Sequence, residues 1–298
     1  MTHVATFIAD PKSAGLSGEQ LARAGKLLPD AEAPEWLDRD FAADIPFAAA
    51  VGTDPRRLAD QLRDALHGEC DVAVQPVAHR RKMLLVADMD STIIGQECID
   101  ELADYVGLKP EISAITEQAM QGELDFASAL RERVGLLKGL DAAVIPRCLA
   151  ERIRPNPGAA TLVRTMRLHA VETILVSGGF TAFVAPIAEA VGFEHFVANE
   201  LEVRDGKLTG AVKGRIVDSA VKHDTLVEAR DRLGVEPEMT LAIGDGANDI
   251  AMIEEAGLGV AYHAKPALAA VADARLDHHG LDALLWAADI ARRHWVEA

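Results

Sequence analysis

Five residues, Met83-Leu84-Leu85-Val86-Ala87, run apolar without a break and end on Asp88-Met89-Asp90. A strand with one wet face alternates between apolar and polar residues. A run with no polar member needs cover on both faces, as strands of parallel sheets have. Three further candidates follow, Thr173 to Val176, Thr240 to Ile243 and Gly259 to Tyr262, with helical segments between them. Strands alternating with helices predict an α/β fold built on an open, doubly wound parallel sheet. With 49% apolar and 26% charged residues among 298, the chain can fill such a core.

The rest of the chain divides around that run. Residues 1–78 predict a small α+β domain. Its parts are a strand at Val4 to Ala9, a helix opened by Ser17-Gly18-Glu19-Gln20 with capping-box spacing, a second helix from Asp54-Pro55, and a closing strand at Val72 to Val77. Such alternation resembles the ACT-like regulatory modules that bind amino acids. The tetrad His79-Arg80-Arg81-Lys82 reads as a solvated linker into a second domain, residues 79–298. From about 97 to 154 no strand candidate occurs, which predicts a helical cap inserted after that domain's first strand. Asp205-Gly206 between alternating segments predicts a hairpin. Pro186, inside a helical stretch, predicts a kink or an early stop.

Charge and composition narrow the partners. Thirty basic against 47 acidic residues leave a net −17, which disfavours nucleic acid and anionic membrane surfaces. No apolar run approaches the roughly 20 residues of a bilayer span, and no secretory signal is visible. Three scattered cysteines, Cys70, Cys98 and Cys148, fit a reducing cytoplasm and give no zinc spacing. The expectation is a cytoplasmic protein acting on a small molecule, with a homodimer allowed. His278-His279 reads as a loop pair, Cys98 as a core residue, and Trp286 and Trp295 as packing on a carboxyl-terminal helix.

Chemistry concentrates where apolar strands end. Asp88 and Asp90 lie two apart on extended backbone, so both carboxylates can face one site. In doubly wound sheets ligands bind beyond the carboxyl ends of strands. Two acids there repel unless a cation or a shared proton lies between them, and hard oxygen ligands favour Mg²⁺. Gly244-Asp245-Gly246-Ala247-Asn248-Asp249 adds two acids after another strand. It is neither a dinucleotide fingerprint nor a P-loop, since Asp249 takes the third glycine's place and no Gly-Lys-Ser/Thr follows. Val176-Ser177-Gly178-Gly179-Phe180 offers a hydroxyl and backbone N–H groups suited to phosphate. Lys222 stands alone before the Thr240 strand, where an isolated lysine is ordinarily a solvated side chain.

In this order the motifs resemble the haloacid dehalogenase superfamily of phosphoryl-transfer enzymes. Glu97, Gly122-Glu123-Leu124-Asp125-Phe126, Leu130-Arg131-Glu132-Arg133-Val134 and Leu136-Leu137-Lys138 extend the likeness to its phosphoserine phosphatases, over about residues 83–285. Met89 departs from the phenylalanine common at that place. The resemblance implies Asp88 as nucleophile, Asp90 as general acid and base, and Lys222 between Asp88 and phosphate. It implies Mg²⁺ held by Asp88, the backbone carbonyl of Asp90 and Asp245, with Asp249 supporting the shell. It puts Ser177 and Gly178 on the phosphate and Asn248 in substrate orientation. Glu97 would take an ammonium group, Arg133 a carboxylate, and Phe126 and Met120 would wall the pocket. The implied reaction is hydrolysis of O-phosphoserine, the last step of serine biosynthesis. Transfer to a small alcohol such as homoserine, or action on another small phosphate ester, are the alternatives.

Overall fold

The computed structural model describes residues 1–120 and 124–297, with Met120 described by its backbone only. The amino-terminal unit comprises β1 (His3–Ala9), α1 (Gly18–Gly25), β2 (Glu35–Asp38), β3 (Ala42–Phe47), α2 (Pro55–Ala65) and β4 (Cys70–Pro76). Both helices start where their caps predict. Ser17 and Gln20 close a reciprocal capping box, and the Asp54 carboxylate accepts the N–H groups of Arg56 and Arg57 ahead of Pro55. The strands pair antiparallel in the order β2-β3-β1-β4, a ferredoxin-like βαββαβ arrangement. The β2–β3 hairpin is an element that periodicity misses. β2 has four residues with a register shift between Trp36 and Asp38, and β3 contains Pro46, so neither alternates cleanly.

The second unit begins at β5 (Leu84–Ala87). Among the described residues five helices separate it from the next strand, and the first four are α3 (Cys98–Asp104), α4 (Lys109–Met120), α5 (Phe126–Leu136) and α6 (Val144–Arg152). They occupy the stretch over 97–154 in which the sequence offers no strand candidate. Next come α7 (Ala159–Leu168), β6 (Glu172–Phe180), α8 (Thr181–Val191), β7 (His195–Arg204) and β8 (Lys207–Lys213). The unit closes with α9 (Ser219–Leu233), β9 (Thr240–Gly244), α10 (Ile250–Glu255), β10 (Leu258–Tyr262), α11 (Pro266–Ala269), β11 (Ala274–Leu276) and α12 (Leu284–Ala287). Strands β11-β10-β9-β5-β6-β7 run parallel, with β8 antiparallel at the edge.

β5 shows why its sequence carries no polar residue. Leu84 and Val86 pack toward Leu226 of α9 and Met252 of α10. Leu85 and Ala87 pack toward Val163 of α7 and Phe183 of α8. Helices thus cover both faces, and each large aliphatic side chain buried this way contributes roughly 1.5–3 kcal/mol. Pro186 does not stop α8, which runs on to Val191. Burial of Phe183, Val184, Ile187 and Val191 offsets the one helical hydrogen bond proline removes. The β7–β8 hairpin turns on Asp205 and Gly206, both at positive φ (52° and 75°), as a type I′ turn requires. Leu208 of β8 exchanges backbone hydrogen bonds with Gly139 and Leu140, so the hairpin braces the cap.

The tetrad at 79–82 is not a solvated linker. β4 pairs with β11 at Val72 and Arg275, which joins the two units into one eleven-stranded sheet. Asp71 accepts the backbone N–H groups of Asp277, His278 and His279 at 2.8–3.2 Å. Arg80 is buried, pairs with Asp44 at 2.7 Å and donates to the Trp286 carbonyl at 3.0 Å. Lys82 is buried as well and donates to the Glu238 carbonyl at 2.9 Å. Four basic residues in sequence cannot show that two of them face inward to carbonyls and a buried acid. Trp295 also differs from expectation. It lies past a 3₁₀ turn, not on a helix, and packs on Trp286 with ring centroids 4.9 Å apart. No helix among the described residues is long and apolar enough to cross a membrane.

Candidate active site

The parallel strands β5, β6 and β9 end at one place, and the candidate residues start there. Asp88 leaves β5 with its N–H on the Ile243 carbonyl of β9, 2.9 Å away. The chain then turns through Ser91 at φ 54°, left-handed backbone that serine rarely adopts. This turn brings Asp90 and Thr92 back toward the strand ends. Thr92 Oγ1 donates to Asp245 Oδ1 at 3.2 Å. At the end of β9, a Cβ on Gly244 would stand 2.5 Å from the Asp249 carboxyl carbon, so glycine is needed for Asp249 to fold back under the loop. There Asp249 accepts the N–H groups of Asp245 and Gly246, each at 3.2 Å.

Asp88, Asp245 and Asp249 each offer a carboxylate oxygen, and these atoms all lie within 4.8 Å of one another. Lys222 of α9 enters from one side, 2.7 Å from both Asp88 and Asp249, with 1% of its side chain exposed. The lysine is therefore the buried counter-ion of an acidic cluster, not a solvated side chain. One ammonium does not balance this cluster. Burial, then Asp249 and Asp245 against the pull of Lys222, drives Asp88 well above the ordinary carboxylate range. Burial and Asp249 push Asp245 up to about 7. Burial pulls Lys222 down, yet Asp249 and Asp88 prevail and hold it above the usual lysine range. Three hard oxygen donors in mutual reach, short of positive charge, fit a divalent cation.

The Asp90 carboxylate lies outside this trio. Its Oδ1 accepts the Cys98 N–H at 2.9 Å, and its Oδ2 accepts from Ser177 Oγ at 3.3 Å. Burial raises its pKa, against those hydrogen bonds. The serine motif is a continuation of β6, not a tight turn. Pairing with β7 shifts register between Val176 and Phe180, and Gly179 N–H donates to Ser177 Oγ at 2.8 Å. Asn199, unremarked in the sequence, holds this segment. Its Nδ2 donates to the Gly178 carbonyl and its Oδ1 accepts the Val217 N–H, both at 2.8 Å, which ties the motif to the start of α9. A buried asparagine inside β7 was the available signal, because strands disfavour that residue.

The cap closes over these strand ends and leaves a cavity of about 60 Å³. Asp88, Asp90 and Asp245 line it from below, and Glu97, Phe126 and Arg133 line it from the cap side; Asn248 also reaches it. Burial, then Asp90, raises Glu97 well above its ordinary range, and Ser91 Oγ donates to it at 2.7 Å. Arg133 is buried on α5 and makes no ion pair among the described residues. Phe126 opens α5 with its ring against Gly178, where a Cβ would meet ring carbon Cζ at 2.5 Å. The Met120 side chain and Gly122-Glu123 lie outside the described residues.

A parallel sheet with an inserted cap and a buried acid–lysine cluster at its strand ends defines a hydrolase class that comparison confirms. Residues 85–254 match the haloacid dehalogenase-like hydrolase model, and the chain belongs to that family. It is 42% identical over 251 residues to the phosphoserine phosphatase of Archaeoglobus fulgidus, covering 83% of this chain and 71% of that one. A HAD family hydrolase of Salmonella enterica serovar Typhi superposes with a TM-score of 0.84 at 29% identity, over 96% of this chain and 99% of that one. A solved phosphoserine phosphatase carrying a phospho-aspartyl intermediate analogue superposes at 0.66 with 39% identity, over 69% of this chain and 98% of that one.

Proposed function

We propose that this chain is a Mg²⁺-dependent phosphoserine phosphatase acting through an aspartyl-phosphate. The observation that carries the reading is the buried Asp88–Lys222–Asp249 arrangement beside Asp245, opening on a cavity that also holds one acid and one arginine from the cap side. A phosphate ester, an ammonium group and a carboxylate are the three features of phosphoserine. The cavity offers an acidic cluster suited to a divalent cation and a phosphate loop, then Glu97, then Arg133. Sugar phosphates lack partners for the last two.

Asp88 attacks phosphorus, and the bond from phosphorus to the serine oxygen breaks. Asp90 gives its proton to that departing oxygen. A buried acid with a raised pKa suits this role, because it keeps a proton to give. Water then attacks the phosphorus of the aspartyl-phosphate, Asp90 takes the water's proton, and phosphate leaves with Asp88 restored. Ser177 Oγ and the Gly178 N–H would bind the transferring oxygens, while Lys222, 2.7 Å from Asp88, aims it and opposes its protonation. Asp88, Asp245 and the Asp90 backbone carbonyl would bind Mg²⁺, with Asp249 behind them. When bound, the cation offsets charge on the phosphoryl oxygens and on the crowded carboxylates. Asn248 orients the substrate, and Phe126 and Met120 exclude water. The chain works in the cytoplasm, at the last step of serine biosynthesis.

Phosphate release from O-phosphoserine, with Mg²⁺ and with chelator, tests the reading. Asp88→Asn should cut turnover by at least about 10³-fold while far-UV circular dichroism stays native. Activity that survives the substitution, or survives thorough chelation, rejects the mechanism.

A further inference from the structure

The arginine that faces the cavity is not held by an acid, which leaves open what aims it. Arg133 donates through Nε to the Ala129 carbonyl of its own helix at 3.3 Å, and through Nη1 to Thr116 Oγ1 on α4 at 2.9 Å. Nη2 has no partner among the described residues. Thr116 is itself buried, at 4% exposure, and its hydroxyl lies 2.9 Å from Asp100 Oδ1 on α3 and 3.0 Å from the Ile112 carbonyl. The other Asp100 oxygen accepts from Ser113 Oγ at 2.5 Å. The order is therefore acid, hydroxyl, guanidinium, on three cap helices, with Thr116 and Arg133 both lining the cavity.

A hydroxyl has one proton. With that proton directed at Asp100, Thr116 presents lone pairs to Arg133, and the guanidinium plane is set. The same geometry keeps Asp100 from pairing directly with Arg133. A direct ion pair would occupy the guanidinium and compete with any substrate carboxylate. We propose that Thr116, fixed from behind by Asp100, is the positioning residue that aims Arg133 and so sets how strongly the enzyme demands a carboxylate on its substrate. The inference rests on the phosphoserine reading above and adds two residues to it.

Thr116→Val removes the hydroxyl and keeps the shape, and Thr116→Ser keeps the hydroxyl. The readout is the ratio of kcat/KM for O-phosphoserine to that for O-phosphoethanolamine, which has the amine and the phosphate but no carboxylate. The ratio is independent of how much enzyme is folded. T116V should lower it about tenfold through a higher KM for phosphoserine, the scale of one hydrogen bond to a charged group, and T116S should restore it. A discriminating wild type whose ratio T116V leaves unchanged, or a T116S that behaves like T116V, overturns the inference alone. A wild type indifferent to the carboxylate overturns the phosphoserine reading and this inference with it. Should T116V not fold, Asp100→Leu, which removes the acceptor behind Thr116 and keeps the side chain's bulk, asks the same question: a lowered ratio supports the assignment and an unchanged one overturns it.

Discussion

At the scale of single residues, Lys82 shows how a charged side chain can be structural without being paired. It is 4% exposed, and burial, against the fields of Asp273 and Glu238, pulls its pKa down to about 8. The folded protein therefore releases this proton at a lower pH than the unfolded chain does. Between about pH 8 and the unfolded value near 10.5 the unfolded state binds more protons, so this group's contribution to stability improves as pH rises. Below pH 8 the full cost of burying the ammonium is present. Lys82→Met, which keeps the aliphatic stem, is expected to gain about 1–2 kcal/mol at pH 7, less than the full shift implies because the Glu238 carbonyl loses its donor. Urea unfolding at pH 7 and pH 10 checks this. An advantage that is absent at pH 7, or undiminished at pH 10, rejects it. Nothing in the sequence marks Lys82, since its burial depends on strands folded far away. Asp88, Asp90, Asp245 and Asp249 are legible because each follows an apolar strand at a fixed offset, and strand ends in such sheets converge. Asn199, Thr116 and Asp100 act only through contacts between elements, and no local spacing records those.

At the scale of elements, the cap and the sheet meet through one ring and one missing side chain. Phe126 at the start of α5 lies over Gly178 at the end of β6, and any Cβ there collides with the ring. The backbone of Gly178 is not at positive φ, so alanine would cost little on its own account. Its effect must come through displacement of Phe126 and of the cap behind it. Gly178→Ala should lower kcat/KM for phosphoserine about tenfold, because small errors of placement at a closed site are expensive. Phe126→Leu in the same chain should recover part of the loss. Steady-state kinetics of the two single variants and the double decides it. An unimpaired G178A, or a double variant worse than the product of the singles, removes the steric account. Elements were read well where their pattern was local: β5, β9, both capped amino-terminal helices and the Asp205-Gly206 hairpin. β2, β3 and β11 were missed because each is short or interrupted and is defined by its neighbours in the sheet.

At the scale of the whole molecule, the amino-terminal unit is built into the catalytic sheet. One of its sheet faces packs on its own helices, through Phe7, Ile45, Phe47 and Val72 against Leu21 and Leu62. The other face presents Thr6, Asp44 and Gln75 to Arg80 and to the carbonyls of Trp286 and Ala287. Asp71 ties its last strand to the backbone of 277–279. A module attached by a flexible linker would melt separately. A unit sharing sheet hydrogen bonds and a buried ion pair with its neighbour loses both on separation. Calorimetry of the full chain should therefore show one transition whose van't Hoff and calorimetric enthalpies agree. Arg80→Met should lower stability by about 3–5 kcal/mol, since Asp44 is left buried without its cation, and should move that single transition as a whole. Two resolved transitions in the wild type would mean that the shared sheet and the Arg80–Asp44 pair do not couple the units.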